Sequence, residues 1–168
     1  VPINDLPKIA SAGAHYCVIG GGKTSMDACL WLLEQGVGQS SISWVRPRDS
    51  WILNRANIQP GKLSGPSSES FVRQLALVGE SNTSDEAFEK LAEAGILLQL
   101  DDEVKPTMYR CATITESEFK ELQGVTRVIR KGHVLSIDAS GLQMEHGSEA
   151  MPEGTVYVNC TADGLAKR

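Results

Sequence analysis

The sequence carries no excess of positive charge and no long apolar run. Its 168 residues include 16 Lys and Arg against 21 Asp and Glu, which gives a net charge of −5 at pH 7. A chain with that balance has no global positive field to attract nucleic acid. No apolar run approaches the ~20 residues that are needed to cross a bilayer. We therefore expect no nucleic-acid partner and no membrane partner.

Patterns typical of metal sites and disulfides are also missing. The four cysteines form no CxxC pair; they are Cys17, Cys29, Cys111 and Cys160. Three of them lie in apolar segments, as expected for reduced and mostly buried thiols. The three histidines show no metal-ligand spacing. The sequence thus indicates a cytoplasmic protein with unpaired thiols and no metal site.

The order of apolar segments near the start predicts a βαβ unit. His15–Ile19 is a short apolar run that reads as a buried strand, and three glycines follow it. Lys23–Gln35 carries a wide apolar stripe at helical spacing, and Gly36 supplies a stop signal. Ser41–Val45 reads as a second strand. We expect the two strands to be parallel and the crossover to be right-handed.

The middle of the chain predicts a long loop, two helices and a third strand. The segment from Arg46 to Ser68 contains three prolines and two glycines, and loops of that length are usually functional. Helices are expected over Glu69–Val78 and Ser84–Ala94, with Ser84 as the N-cap. Ile96–Leu100 is expected to form the third strand.

The last third of the chain changes to short alternating runs. Met108–Ile114 fits either a strand or an irregular segment, and Glu116–Leu122 fits a short helix. An antiparallel meander is expected over Thr126–Arg130, His133–Asp138 and Gly141–Glu145. Thr155–Cys160 is a final apolar strand.

These elements predict an α/β fold. We expect a Rossmann-type parallel sheet with helices on both faces and an appended antiparallel β-meander. A chain of 168 residues is long enough for one domain with a real core. We therefore expect a single domain over residues 1–168, in which residues 1–14 form an N-terminal linker.

The candidate site is the glycine turn between the first strand and the helix. The turn fits the pattern G-x-G-x-x-[G/A/S] with the residues Gly20, Gly21, Gly22, Lys23, Thr24 and Ser25. The first glycine permits a tight turn, the second lets a pyrophosphate approach the backbone, and the third position needs a small residue. The N–H groups and the dipole of the first helical turn then bind the phosphates. These six residues predict dinucleotide binding.

The glycine turn admits two other interpretations. Gly22-Lys23-Thr24 resembles the end of a P-loop, but that pattern requires a glycine at the position of Cys17. A nucleoside triphosphatase is therefore disfavoured. The remaining alternative is a glycine-rich turn that binds nothing, and the strand–helix–strand context argues against it.

The residues after the second strand bear on the choice of cofactor. An NAD site places an acidic residue there for the ribose 2′-hydroxyl, whereas an NADP site brings in arginine for the 2′-phosphate. Here Arg46 and Arg48 come first and Asp49 follows them. We expect the two arginines to contact the phosphate of NADP(H). The alternative is that they are solvated loop charges and that Asp49 contacts the ribose of NAD(H).

Three segments resemble the NADP-binding domain of two-dinucleotide-domain flavoproteins. This superfamily contains flavin-containing monooxygenases, Baeyer–Villiger monooxygenases and related FAD/NAD(P)-dependent, pyridine nucleotide-disulfide oxidoreductase-like enzymes. The segments that carry the resemblance are Val18–Ala28, Ser43–Asp49 and Val158–Leu165. The likeness is greatest to uncharacterised bacterial members. It implies that Thr161 and Ala162 belong to the cofactor site.

The resemblance covers nearly the whole chain but only half of such an enzyme. The family binds FAD through an earlier glycine motif, and residues 1–14 contain only one glycine. The resemblance therefore implies an excised NADP-binding domain whose partner is the FAD-binding domain of the same polypeptide. In the intact oxidoreductase, the nicotinamide would pass a hydride to FAD. We expect the domain by itself to bind no FAD and to be inactive, and its catalytic residues stay unassigned.

Two rival functions come from other classes. One is a sensor domain that binds a dinucleotide without redox chemistry. The other is a one-domain NAD-dependent dehydrogenase, which would need a catalytic set such as Tyr-x-x-x-Lys. None of the three tyrosines has a lysine four residues later.

Overall fold

The structure, a computed structural model, describes residues 1–9 and 14–161. Its helices are α1 (Leu6–Ile9), α2 (Lys23–Glu34), α3 (Ser64–Gly79), α4 (Ser84–Glu93) and α5 (Glu116–Gln123). Its strands are β1 (Tyr16–Ile19), β2 (Ile42–Val45), β3 (Ser50–Asn54), β4 (Leu97–Leu98), β5 (Met108–Ile114), β6 (Arg127–Ile129), β7 (Val134–Asp138), β8 (Gly141–Met144), β9 (Gly147–Ala150) and β10 (Val156–Asn159). The chain divides into two compact units, Val1–Arg48 with Glu121–Arg168 and Asp49–Lys120.

The first unit is built on a four-stranded parallel sheet. The strand order is β10-β1-β2-β6, and each neighbouring pair is parallel. Every residue of β1 and β2 is buried, as expected for central strands covered on both faces. The predicted β1–α2–β2 arrangement is therefore confirmed, with the two strands parallel.

Helix α2 follows β1 and packs against it. Met26, Cys29 and Leu30 are buried at the spacing of one helical face. The helix ends as predicted at Gly36, whose φ is +84°. The Gly36 N–H donates to the carbonyl of Leu33, and the Val37 N–H donates to that of Leu32. This pair of bonds is a Schellman motif.

An antiparallel meander of β7, β8 and β9 covers one face of the parallel sheet. The shared core cluster consists of Cys17, Ile19, Val45, Ile129, Leu142 and Met144. Sheet and meander residues thus bury each other. The predicted α/β class, with a parallel sheet, helices and an appended antiparallel meander, is confirmed.

The meander itself differs from the predicted one. Thr126–Arg130 was expected to be its first strand, but β6 pairs in parallel with β2. Burial of Ile129 explains the difference, since the residue joins the sheet core and its carbonyl accepts the Arg46 N–H. The third strand of the meander is β9, which was not predicted. Its residues are Gly, Ser, Glu and Ala, so apolar alternation could not reveal it.

The second unit has its own three-stranded sheet in the order β4-β3-β5. Strand β3 is antiparallel to β4 and parallel to β5. The expectation of one long loop from Arg46 to Ser68 was wrong, because the segment contains β3 and the start of α3. Trp51 and Ile52 are buried there, and the Trp51 ring stacks on Phe88 with centroids 6.0 Å apart.

The helices of this unit lie close to their predicted places. Helix α3 begins at Ser64 and is longer than the expected Glu69–Val78. The N-cap of α4 is Thr83 and not Ser84, because the Thr83 Oγ1 accepts the N–H of Glu86 at 3.2 Å. The expected strand Ile96–Leu100 is shortened to β4. Met108–Ile114, for which a strand and an irregular segment were both possible, is strand β5. The expected helix Glu116–Leu122 is α5, and the expected final strand Thr155–Cys160 is β10.

All four cysteines are free. Cys17, Cys29 and Cys160 are free and buried, whereas Cys111 is free and exposed, as expected for unpaired and mostly buried thiols. Leu6, within the predicted linker, is buried. Among the described residues, no helix combines the length and apolar character needed to span a membrane.

Candidate functional site

The candidate site lies at the carboxyl edge of the parallel sheet. Strand β1 stands between β2 and β10, so the chain continues from β1 to one side while the last strand occupies the other. In open α/β sheets, ligands bind at the carboxyl ends of strands where the order reverses in this way. The predicted glycine turn follows β1 at this point. The loops after β2 and β10 flank it.

Gly20 makes the tight turn that the motif requires. Its φ is +139°, a backbone conformation that residues other than glycine rarely adopt. A Cβ at this position would lie 2.9 Å from the Cys160 carbonyl oxygen. The Gly20 N–H donates to the Val45 carbonyl at 3.0 Å. The turn is therefore fitted between the ends of both neighbouring strands.

Trp44 fixes the same turn from β2. Its indole Nε1 donates a hydrogen bond of 2.8 Å to the Gly20 carbonyl, and the side chain is almost fully buried. Trp44 was not among the predicted site residues, since a tryptophan in a buried strand is more simply explained by packing. A polar donor at the carboxyl end of an otherwise apolar strand was the available signal.

Gly21 brings the turn against the loop that follows β2. A Cβ on Gly21 would lie 3.3 Å from the carbonyl oxygen of Arg48, which is tight for a backbone neighbour. The middle glycine therefore permits close approach of the protein's own backbone. The predicted turn and the predicted arginine loop are brought together here.

The end of the motif begins helix α2. Gly22 is the N-cap with extended backbone, at φ −99° and ψ −178°. Its carbonyl accepts the Ser25 hydroxyl at 2.6 Å and the Ser25 N–H at 3.1 Å. Ser25 is fully buried, which fits the demand for a small residue at this position. Thr24 is exposed, and Lys23 forms an ion pair with Asp27 one helical turn later.

The two arginines after β2 occupy different environments. Arg46 is buried, with 4% exposed, and its Cζ lies 4.7 Å from the centroid of the Trp44 ring. A cation–π contact of this kind contributes about 0.5–2 kcal/mol. The alternative that Arg46 is a solvated loop charge is therefore wrong. Arg48 is exposed at the carboxyl edge, whereas Asp49 is buried and is the first residue of the second unit.

Beyond β10, the chain turns through an amide and a threonine. The Asn159 Oδ1 accepts both the Thr161 N–H at 3.0 Å and the Thr161 hydroxyl at 2.6 Å. Asn159 was not among the predicted site residues, although a polar residue closing an apolar strand was a signal. Ala162, which was predicted to contact the cofactor, lies outside the described residues.

A cleft of about 560 Å³ opens at this edge of the first unit. The carboxyl ends of β1, β2 and β10 line it together with part of the meander. Of the predicted residues, Gly20 and Thr161 line this cleft. The lining also includes Tyr157, Asn159 and the stretch from His133 to Ile137, none of which was predicted. The volume falls within the range of small-molecule sites.

The thiols near the turn are protonated at neutral pH. Burial raises the pKa of Cys160 to about 11 and that of Cys17 to about 12. A thiol in that state is a poor nucleophile and metal ligand. Burial also raises the pKa of Tyr157, so its phenol is neutral and can donate a hydrogen bond. The arrangement suits binding by hydrogen bonds better than covalent chemistry.

Replacing Trp44 tests whether the indole N–H stabilises the turn. Trp44→Phe leaves the buried Gly20 carbonyl without this donor, which should cost about 1–3 kcal/mol in free energy of unfolding. Urea unfolding followed by circular dichroism measures the loss. The matched control is Trp31→Phe on the half-buried side of α2, for which we expect about 0.5 kcal/mol or less. Equal losses for the two variants would contradict the role given to Trp44.

Comparisons with known proteins give relatives without an assigned activity. The chain is 39% identical over 166 residues to an uncharacterized protein of Mycobacterium bovis and, equally, to an uncharacterized protein of Mycobacterium tuberculosis. Each alignment covers 98% of this chain and 31% of the relative, so the chain spans about a third of the length of the curated relatives that it matches. No protein-family model matches the chain. No solved structure matches it either.

Proposed function

We propose that the chain is the NADP(H)-binding domain of an FAD-dependent, monooxygenase-like oxidoreductase. The observation that carries the proposal is the position of the glycine turn. It leaves a buried parallel strand, opens a helix of 12 residues and lies at the reversal of strand order. These are the conditions under which a G-x-G-x-x-small motif binds a pyrophosphate.

The pyrophosphate is assigned to the start of α2. Gly22 has no side chain and adopts extended backbone there, so anionic oxygens can approach the first helical turn closely. The N–H groups and the positive end of the helix dipole attract them. Gly20 and Gly21, in contrast, are occupied with packing against Cys160 and Arg48. The proposal thus divides the three glycines into two that shape the turn and one that faces the phosphates.

The choice of NADP(H) over NAD(H) rests on Arg48. It is exposed and follows β2, where the 2′ position of the adenosine ribose lies in a Rossmann-type site. Arg46 stabilises this loop by the contact of its guanidinium group with the Trp44 ring. We assign the 2′-phosphate contact to Arg48 and a structural role to Arg46. Replacing Arg46 together with Arg48 would therefore lower the stability of the protein as well as its affinity for NADP(H).

The flavin part of the proposal rests on the family resemblance and on length. More than two thirds of each mycobacterial relative lies outside the match. That length leaves room for an FAD-binding domain in the same polypeptide. The nicotinamide bound by this domain would then deliver its hydride to the flavin, which carries the redox chemistry.

Replacing Gly22 tests the pyrophosphate contact. Gly22→Val puts a branched side chain where the phosphates are proposed to bind, in a backbone conformation that valine adopts readily. We expect a folded protein with no measurable NADPH binding by calorimetry. The control is Gly38→Val, which has extended backbone and open surroundings at the amino end of β2. Unchanged affinity in Gly22→Val would remove the turn from the site.

Replacing Arg48 tests the cofactor preference. Arg48→Ala should weaken NADP(H) binding about ten-fold, or about 1.4 kcal/mol, and leave NAD(H) binding nearly unchanged. Added salt should weaken NADP(H) binding more than NAD(H) binding in the parent protein, because the contact is electrostatic and exposed. Arg73→Ala, which removes an exposed arginine of α3, controls for the change in net charge. Tighter binding of NAD(H) than NADP(H) by the parent would reverse the assignment.

The visible spectrum tests the flavin partner. The 168-residue chain should purify without flavin absorbance and should not oxidise NADPH. The polypeptide translated from the complete coding sequence should be yellow and should bleach when NADPH is added under anaerobic conditions. Stoichiometric FAD on the 168-residue chain, or a colourless complete polypeptide that still binds NADPH, would refute the flavin part of the proposal.

A further inference from the structure

Helix α3 exposes apolar side chains and buries polar ones. Phe71, Val72, Leu75 and Val78 are each between 50% and 66% exposed. Three of them, Phe71, Leu75 and Val78, follow the i, i+4, i+7 spacing that defines one side of a helix. We call these four residues the α3 stripe. Exposed apolar residues are common singly, but a contiguous row on one helix indicates an interaction surface.

The side of α3 next to the stripe faces its own unit with polar groups and one leucine. Ser70 is the buried residue of the helix, and its hydroxyl donates to the Asn57 Oδ1 at 3.0 Å. The Gln74 amide donates to the Ser70 hydroxyl at 3.4 Å. Leu77 adds a packing contact with the core of the unit. An ordinary surface helix turns most of its apolar side chains toward the core, whereas α3 leaves Phe71, Val72, Leu75 and Val78 exposed.

The apolar surface continues beyond the helix. A depression of about 600 Å³ beside the stripe is lined by Leu53, Ile58, Pro60, Phe71 and Tyr109, among others. Ile58 and Tyr109 are 45% and 43% exposed. Its polar lining consists of the neutral side chains of Asn57, Gln59, Ser67 and Gln74. A largely apolar depression without charged lining residues is suited to contact with another folded surface of the same character.

We propose that the α3 stripe is an interdomain surface, covered by a part of the polypeptide outside these 168 residues. The mycobacterial relatives match this chain over nearly its whole length, yet the match covers only 31% of each of them. An exposed apolar row on a helix is stabilised when another part of the same polypeptide covers it. Like the proposed function, this inference rests on a polypeptide longer than 168 residues, but it does not depend on flavin binding.

A cysteine-labelling experiment tests the surface. In a Cys111→Ser background, which removes the exposed native thiol, Leu75→Cys is labelled with a maleimide in the 168-residue chain and in the complete polypeptide. We expect labelling to be at least ten-fold slower in the complete polypeptide. Glu93→Cys, at the exposed end of α4, is the matched control and should be labelled at the same rate in both. Phe71→Cys gives a second position on the stripe.

Three results would overturn the inference. One is an equal labelling rate of Leu75→Cys in the two proteins. Another is a coding sequence that begins at Val1 and ends at Arg168. The third is dimerisation of the complete polypeptide that slows labelling as the protein concentration rises. If Leu75→Lys dissociates that dimer, a second copy covers the stripe. Labelling does not depend on flavin absorbance, so failure of this inference is distinguishable from failure of the proposed function.

Discussion

The close fit of Gly20 between its neighbours is the constraint on which the carboxyl edge of the sheet depends. Its N–H donates to Val45, its carbonyl accepts the Trp44 indole, and its α-carbon faces the Cys160 carbonyl. Because these groups come from β2 and from the end of β10, the turn can form only when three strands are in register. A side chain at Gly20 would displace backbone atoms of another strand and not a flexible group. The geometry of the proposed phosphate site therefore depends on three strands of the sheet and not on the turn alone.

At the same edge, the charged side chain of Arg46 has a structural role. Arg46 lies on the face of Trp44, and Trp44 in turn donates to Gly20, so the first residue after β2 supports the turn after β1. Arg48 is exposed, and its backbone lies against Gly21. A ligand that contacts Arg48 would therefore meet a loop whose position is already determined. Such preorganisation lowers the entropic cost of binding.

The sequence predicted the β1–α2–β2 core because buried parallel strands, a helical apolar stripe and glycine stop signals are all local patterns. The structure then brings the predicted glycine turn and the loop after β2 together, with Gly21 against the Arg48 carbonyl. The sequence-based prediction failed where pairing is decided by distant partners. Strand β6 has only three residues and is defined by its pairing with β2, and β9 is defined by its pairing with β8. Strand β3 was hidden by the prolines and glycines around it, although Trp51 and Ile52 are buried. Neither the burial of Arg46 nor the donor role of Trp44 follows from residue type.

The second unit interrupts the first between two strands that are neighbours in its sheet. Ser43 of β2 pairs with Arg127 of β6, so the whole of Asp49–Lys120 must be closed into a loop before this pairing forms. The entropic cost of closure rises only with the logarithm of loop length, about 0.6 kcal/mol for each doubling. The rate of folding is more sensitive, because contacts between distant residues form slowly. The β2–β6 pair should therefore be a late event in folding, whereas β1, α2 and β2 can assemble early from local contacts. The length of the chain between β2 and β6 is accordingly free to vary during evolution at small cost in stability.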